Sequence, residues 1–376
     1  MSDFNLYGPL NDFGYGVFTR GIIKGLLELN ESKFSINPIG PLSLENQQET
    51  QVLRNIISSN QWDREVPSVA IWHEFDLTKF SAKKLVAYPI FETDKFNSTA
   101  MNQLPQMDAI FVLSKWAKEI VIKNIGNSVP VHVVQGASDA VLHKKKEYSE
   151  ADTFTFLSVG KFEQRKSPVE AITAYVNAFQ AKQATTRYIC HCFNPFDRHF
   201  ANNMATILTQ IGLRVIPATS SGSIIGVRGN AIVEVPRFKL QRDQLIELMS
   251  RSHVGLFPAR AEGWNLPLME TIKAGTPCIA TNYSAHTEYL TSEYNYPQDL
   301  LLNNLTTELA NDGQFFKGDR GNWMRPNTGE ISQKMNYVYD NYKEVLEDFN
   351  RNTIADQFTW KNSAKQLISS LNKIND

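Results

Sequence analysis

Short apolar runs that alternate with amphipathic stretches constrain this chain more than any other feature. Runs at residues 69–72, 109–113, 131–134, 154–159, 188–193, 254–257 and 278–280 are built from Val, Ile, Leu, Phe, Ala and Cys with few polar interruptions. Segments this short and apolar read as strands buried on both faces of a parallel sheet. Between them the period changes. Phe18, Ile22, Leu26 and Leu29 fall at i, i+4, i+8 and i+11, and Trp116, Ile120 and Ile125 mark an apolar face after Ser114, a candidate N-cap. Strand and helix therefore alternate, which dictates an α/β class with parallel sheets. A chain of 376 residues is long for one core and suits two domains of about 150 to 200 residues. The expected division is 1–145, 146–350 with a new strand–helix unit near Phe154, and a C-terminal piece at 351–376. The polar segment 138–152, with Lys144, Lys145, Lys146 and Glu147, reads as the linker. Residues 303–329, rich in Asn, Gly and Asp, read as a loop region, and 331–374 as two amphipathic helices.

Composition narrows the function. Lys and Arg total 38 against 39 Asp and Glu, a net charge of −1, so nothing draws the chain to phosphate polymers and general nucleic-acid binding is not expected. Three cysteines, Cys190, Cys192 and Cys278, are too few and odd in number for a disulfide framework and suit a reducing compartment. The first residues lack the basic start and apolar stretch of a signal peptide, and no run approaches the roughly 18 apolar residues of a membrane span. The expected location is the cytoplasm.

Three segments carry candidate chemistry. The first runs from Gly8 to Gly21 between a strand and an amphipathic helix. Gly14 and Gly16 let backbone approach a ligand, and the helix offers free N–H groups to an anion; a strand-to-helix turn needs glycine in any case, and the spacing fails the dinucleotide fingerprint at Phe18 and Thr19. In the second, Lys161, Arg165 and Lys166 lie on a strand-to-helix loop, where they would neutralise a diphosphate or form a solvated turn. The third runs from Pro258 to Thr281. Residues 254–257 read as a strand, Glu262-Gly263 as the turn, Asn265 as a cap, Pro267 as a first-turn residue and Gly275 as the helix stop. Glu262 and Glu270 then bracket a helix N-terminus, where carboxylates accept hydrogen bonds from vicinal hydroxyls and N–H groups near Trp264 and Asn265 face an anion. That combination suits a sugar nucleotide. His73 ends an apolar strand, and Cys190-His191-Cys192 lacks a matching second pair, so it reads as core and not as a zinc site.

Glu262-Gly-Trp-Asn-Leu-Pro-Leu-Met-Glu270 resembles the Glu-x7-Glu signature of retaining, family-4-type glycosyltransferases, as does the following Ala-Gly-Thr-Pro-Cys-Ile-Ala. Gly160-Lys-Phe-Glu-Gln-Arg-Lys resembles their phosphate-binding segment, 108–115 and 131–139 resemble two N-domain strand motifs, and 358–364 the start of the final helix. The resemblance implies a GT-B fold: two facing Rossmann-like domains with parallel sheets, the acceptor in the first, the nucleotide sugar in the second, and a last helix crossing back. It implies that Glu270 binds ribose hydroxyls, that Glu262 and His73 meet the donor sugar, and that Lys166 with Arg165 or Lys161 holds the diphosphate. Gly14, Gly16, Gly263, Trp264, Asn265 and Leu266 complete the implied donor site; Asp12, Glu92 and Asp94 are candidates for the acceptor. Lys161 stands where the family has Arg, and Ser167 where it has Gly. The sequence 135–139 departs from the usual Pro-x-Gly-Val-Asp, which bears on interdomain packing.

Transfer builds charge on a departing diphosphate, which cations and a helix end can stabilise without metal. No Asp-x-Asp triplet is present, so no metal or other cofactor is expected beyond the nucleotide-sugar co-substrate. The partners implied are that donor and a hydroxyl acceptor; a lipid-linked acceptor would bring peripheral membrane contact, although no strongly basic amphipathic helix argues for it. A nucleotide-sugar epimerase of the same fold and a non-catalytic sugar-nucleotide binder remain alternatives. A nicotinamide oxidoreductase is disfavoured by the failed fingerprint.

Overall fold

Apolar strands too short to be stable alone must pair. In the computed structural model, which describes residues 3–59, 61–139, 153–194, 197–216, 222–313 and 315–375, they form two sheets. The first holds β1 (Phe4–Gly8), β2 (Phe34–Pro38), β3 (Ser68–Ala70), β4 (Leu85–Ala87), β5 (Ala109–Val112) and β6 (Val131–Val133). All its pairings are parallel, in the order β2-β1-β3-β4-β5-β6. Helices α1 (Gly14–Leu29), α2 (Gln47–Ser59), α3 (Ser98–Gln103) and α4 (Lys115–Ile125) belong to this N-terminal lobe. Ser114 caps α4 as expected, its hydroxyl accepting from the Ala117 amide at 3.1 Å.

The C-terminal lobe is built on β7 (Thr155–Val159), β8 (Thr186–His191), β9 (Arg214–Ile216), β10 (Ser223–Arg228), β11 (Ala231–Pro236), β12 (Val254–Phe257), β13 (Cys278–Thr281) and β14 (Leu301–Leu302). Their order is β14-β13-β12-β7-β8-β11-β10-β9. The sheet is parallel except at one edge, where β10 runs antiparallel to both β11 and β9. Helices α5 (Pro168–Phe179), α6 (Phe200–Gln210), α7 (Arg242–Arg251) and α8 (Leu266–Lys273) connect its strands.

Three expectations need correction. Residues 303–329 are not simply loop: β15 (Leu305–Leu309) and β16 (Asn322–Pro326) pair antiparallel, and the Gly- and Asp-rich residues form the connection between them. Residues 331–374 form four helices, not two: α9 (Thr328–Asp340), α10 (Tyr342–Phe349), α11 (Ile354–Gln357) and α12 (Trp360–Asn375). Asn341 leaves the helical region at φ −123° and divides the first pair. Asn265 does precede α8, but at φ 73° and without a side-chain cap bond, so its amide is free for another partner. The linker expected at 138–152 lies outside the described residues beyond Asp139, and so does the 145/146 boundary.

The final helix returns to the first lobe. Gly21 and Gly25 of α1 allow the approach, because a Cβ at Gly21 would lie 2.1 Å from the Trp360 ring and one at Gly25 2.0 Å from the Trp360 carbonyl oxygen. Phe18 meets the same indole edge-on at 5.5 Å. Cys190, Cys192 and Cys278 are all buried and unbridged. No helix among the described residues is long and apolar enough to cross a membrane.

Candidate active site

In an open α/β sheet, loops diverge at the strand where the order reverses, and that crevice receives ligands. In the second sheet the reversal is at β7, flanked by β8 on one side and β12 on the other. The loop after β7 supplies Arg165 and Lys166 from a single 3-10 turn ended by Ser167 at φ 54°. The loop after β12 supplies Glu262. Arg165 Nη1 lies 2.7 Å from Glu262 Oε2, and Lys166 Nζ lies 2.6 Å from Glu262 Oε1. Sequence positions far apart thus converge on one carboxylate.

The loops are anchored from behind. The Arg260 amide donates to the Arg165 carbonyl at 2.7 Å, and the buried Arg260 guanidinium reaches Glu170, Glu308, the Gln164 carbonyl and the Ser167 hydroxyl at 2.5–2.8 Å. The Glu262 amide donates to Ser284 Oγ at 2.8 Å. Burial alone would push the Glu262 carboxyl up, but Arg165 and Lys166 outweigh it and hold it down at about 2. Arg165, which burial would push down, is instead driven up by Glu262, Glu92 and Glu163. Glu262 is therefore a carboxylate and Arg165 a cation throughout the ordinary pH range.

Glu270 sits one turn into α8, as the spacing required, with its side chain 5% exposed. Its partner is Arg242, the first residue of α7, at 2.7 Å. Burial raises the Glu270 carboxyl, and Arg242 offsets only part of that. Asn265 spends its amide nitrogen on His286 Nε2 at 3.0 Å, while His286 Nδ1 is 2.9 Å from the Thr281 carbonyl oxygen and must donate to it. Burial drives His286 down to about 4, so it is the neutral Nδ1–H tautomer. Asn265 Oδ1 is left buried with no hydrogen-bond partner. It lines a cavity of about 20 Å³ shared with Lys166, Glu262 and Cys192.

The N-terminal lobe closes the other side. Gly263 lies against it, since a Cβ there would be 2.4 Å from Ile90 Cγ2. Glu92 comes within 3.7 Å of Arg165, tying the lobes through the cationic turn. Tyr15 OH donates to the Ile90 carbonyl at 2.8 Å and accepts from the Ile90 amide at 3.0 Å. His73 stacks on Phe75 and meets Tyr15 edge-on, with ring centroids 5.1 and 4.7 Å apart. Burial lowers its pKa, with Asp76 opposing. Its neighbour Glu74 is buried and pushed up to about 7, with Arg320 from the β15–β16 connection 3.6 Å away.

Residues 112–367 match the model of a family described as "Family 4 Glycosyltransferase in conflict systems". The chain belongs to that family. Comparison with curated protein sequences finds no match. Among solved structures, sucrose-phosphate synthase from Thermosynechococcus elongatus is similar with a TM-score of 0.64 at 12% identity, over 100% of this chain and 99% of that one. Anabaena HepE, solved in complex with UDP and glucose, aligns with a TM-score of 0.63 at 13% identity over 99% and 100%. The trehalose-6-phosphate synthase OtsA gives 0.62 at 10% identity, over 99% of both chains. At these identities the likeness is one of fold, and that fold is the GT-B arrangement of the expectation.

In this glycosyltransferase the remaining candidates are dispersed. Lys161 places its ammonium 6.0 Å from the centre of the Phe315 ring. Gly16 is explained by packing, because a Cβ would fall 2.2 Å from the Asn11 carbonyl oxygen, whereas Gly14 has open space where a Cβ would stand. Asp12 is paired with Arg20 at 3.0 Å and accepts from the Glu45 amide at 2.9 Å. Asp94 accepts from the Asn322 amide at 2.5 Å, so it secures the β15–β16 connection to the first lobe. Trp264 is buried between Tyr289, Phe358 and Gly136, which leaves the Trp264 and Leu266 backbone, not the indole, for the crevice. Sequence reasoning missed Arg242, His286, Glu74 and Arg320. Each gains its place through a partner distant in sequence, and only His286, inside an otherwise small and polar turn, carried a local signal.

Proposed function

We propose that this glycosyltransferase moves a hexose, with retention of configuration, from a nucleoside diphosphate sugar to a hydroxyl of a glycan, lipid-linked or small-molecule acceptor. The observation that carries the reading is the Glu262 carboxylate forked between Arg165 and Lys166 at the reversal point of the second sheet. On binding, the diphosphate takes over the two cations, which then offset charge developing on the leaving group. Glu262 is released to the hydroxyls of the donor sugar, and Glu270 receives those of the ribose. Asn265 Oδ1, buried and without a partner, accepts a further hydroxyl. His73 approaches the sugar from the other lobe. UDP is the first nucleotide to try, because HepE holds UDP and glucose in the same fold.

The chemistry runs without a divalent cation, since Arg165 and Lys166 already supply two positive charges to the phosphates. The acceptor hydroxyl attacks on the face the diphosphate leaves, and a departing phosphate oxygen takes its proton, so the anomeric configuration is kept. A cytoplasmic enzyme is consistent with three buried, unbridged cysteines.

The test is to incubate the protein with a panel of nucleotide sugars, with and without acceptor mixtures and with and without a chelator, and to read products by mass spectrometry and anomeric NMR. Release of a nucleoside diphosphate with an α-linked product from an α-linked donor, unaffected by chelation, is the expected outcome. Inversion or metal dependence would overturn those parts of the reading. An epimeric nucleotide sugar formed without acceptor would replace transfer by epimerisation.

A further inference from the structure

The helix that carries the donor-site carboxylate also holds both passages of the chain between lobes. The chain leaves the first lobe after 135–139 and re-enters it at 358–360, before α12. At the start of α8, Trp264 packs on both passages: its ring covers Gly136, where a Cβ would lie 2.7 Å away, and its centroid is 5.7 Å from that of Phe358. At the other end, Lys273 does the same with hydrogen bonds. Its Nζ donates to the Ser138 carbonyl at 2.8 Å and to the Phe358 carbonyl at 2.7 Å. The side chain is 1% exposed, and it ranks among the largest fully buried groups of the molecule. A buried ammonium that no carboxylate among the described residues meets at ion-pair distance is costly, which makes its bonds to the two carbonyls the interactions that hold it.

A role for these bonds follows from the contact between the lobes at the site. Gly263 is pressed against Ile90 of the opposite lobe, and Glu92 of that lobe comes within 3.7 Å of Arg165. Any parting of the lobes breaks this contact, and among the described residues both crossovers meet Lys273. We propose that Lys273 is a positioning residue that fixes both crossovers to the donor-site helix, so that the lobes return to one register over Glu262 after each opening. Asp139, Glu270 and Asp356 face the ammonium and favour its charge, while Lys24 opposes it. Burial, the largest influence, lowers it to about 8. Deprotonation at alkaline pH therefore weakens the charge-assisted bonds to both carbonyls.

Only the kinetic arm of the test rests on the transfer reading. Spin labels on Lys33→Cys and Arg251→Cys, both exposed and one in each lobe, report the interlobe distance in the full chain; the native cysteines are buried and resist labelling. In Lys273→Met the distance distribution should broaden toward longer values while thermal unfolding stays cooperative. With UDP-glucose, or whichever donor the panel identifies, kcat should fall about tenfold or more with donor KM within about threefold, since Lys273 touches no donor group. If Lys273→Met fails to fold, the unmodified chain decides: its distribution should broaden between pH 7 and 9. A Lys273→Met distribution and kcat equal to the parent, or a parent distribution unchanged over that pH range when the variant cannot fold, overturns the proposal. If no nucleotide sugar turns over, the transfer reading fails, and the distance measurement still judges Lys273.

Discussion

Glu262 and Glu270 are chemically identical, stand near opposite ends of one signature and are equally buried, each side chain 5% exposed. Their environments nevertheless push them in opposite directions. Glu262 is held down at about 2, whereas Glu270 is raised. The difference lies in the partners. Glu262 faces two cations, of which Arg165 is only 8% exposed, so their fields act through protein. Glu270 faces one guanidinium that is 42% exposed, where water screens it. A carboxylate's state thus depends on how many cations face it and how deeply they are buried, and in the proposed reading the same contrast would separate the diphosphate end of the donor from the ribose end.

The largest expected effect is Glu262→Gln. It removes the carboxylate that faces Lys166 and one of those around Arg165, which keeps Glu163 at 2.7 Å, and so costs about 1–3 kcal/mol in urea unfolding, and it lowers transfer by about a hundredfold or more. Full activity in this variant would remove Glu262 from the mechanism. Acidification comes next. His286, held near 4 against an ordinary 6.5, loses stability as pH falls from about 6.5 to 4 because only the unfolded chain takes the proton. Glu262 follows below about 4.5, its contribution disappearing as pH falls toward 2, and each amounts to roughly 3 kcal/mol at full extent. Glu270 runs the other way: its raised value means that protonation relieves a cost, so Glu270→Gln should make acid unfolding steeper while Glu262→Gln makes it shallower below pH 4.5. Parallel curves for the two variants would erase the comparison.

Glu270→Gln at neutral pH should change stability by less than about 1 kcal/mol, because Arg242 can turn to water, yet raise donor KM about tenfold. An unchanged KM would detach Glu270 from the nucleotide. Lys161→Ala is the smallest: donor KM should move by less than about threefold, against tenfold or more for Arg165→Met. The reverse ranking would make Lys161 the second phosphate cation.

Much of this was legible in the sequence. The apolar runs at 109–113, 154–159 and 254–257 became β5, β7 and β12, because strands buried on both faces carry their pattern in every residue. The Pro267 and Gly275 punctuation fixed the ends of α8, with Gly275 at φ 84°. The β10–β11 hairpin escaped notice although Gly229-Asn230 forms its turn, and the β15–β16 pair was hidden by the polar connection between its strands. Asn265 shows the limit most clearly. A residue type that favours caps sits at the cap position, but the tertiary partner His286 takes its side chain instead. Pairings such as Arg242 of α7 with Glu270 of α8, or Arg320 with Glu74, arise only when elements distant in sequence or the two lobes meet.

The most direct test of the central claim is calorimetric titration of nucleoside diphosphate sugars into the unmodified chain and into Lys166→Met. The account predicts that at least one such donor binds the former and loses affinity about tenfold or more in the latter. A donor that binds both equally well would contradict it.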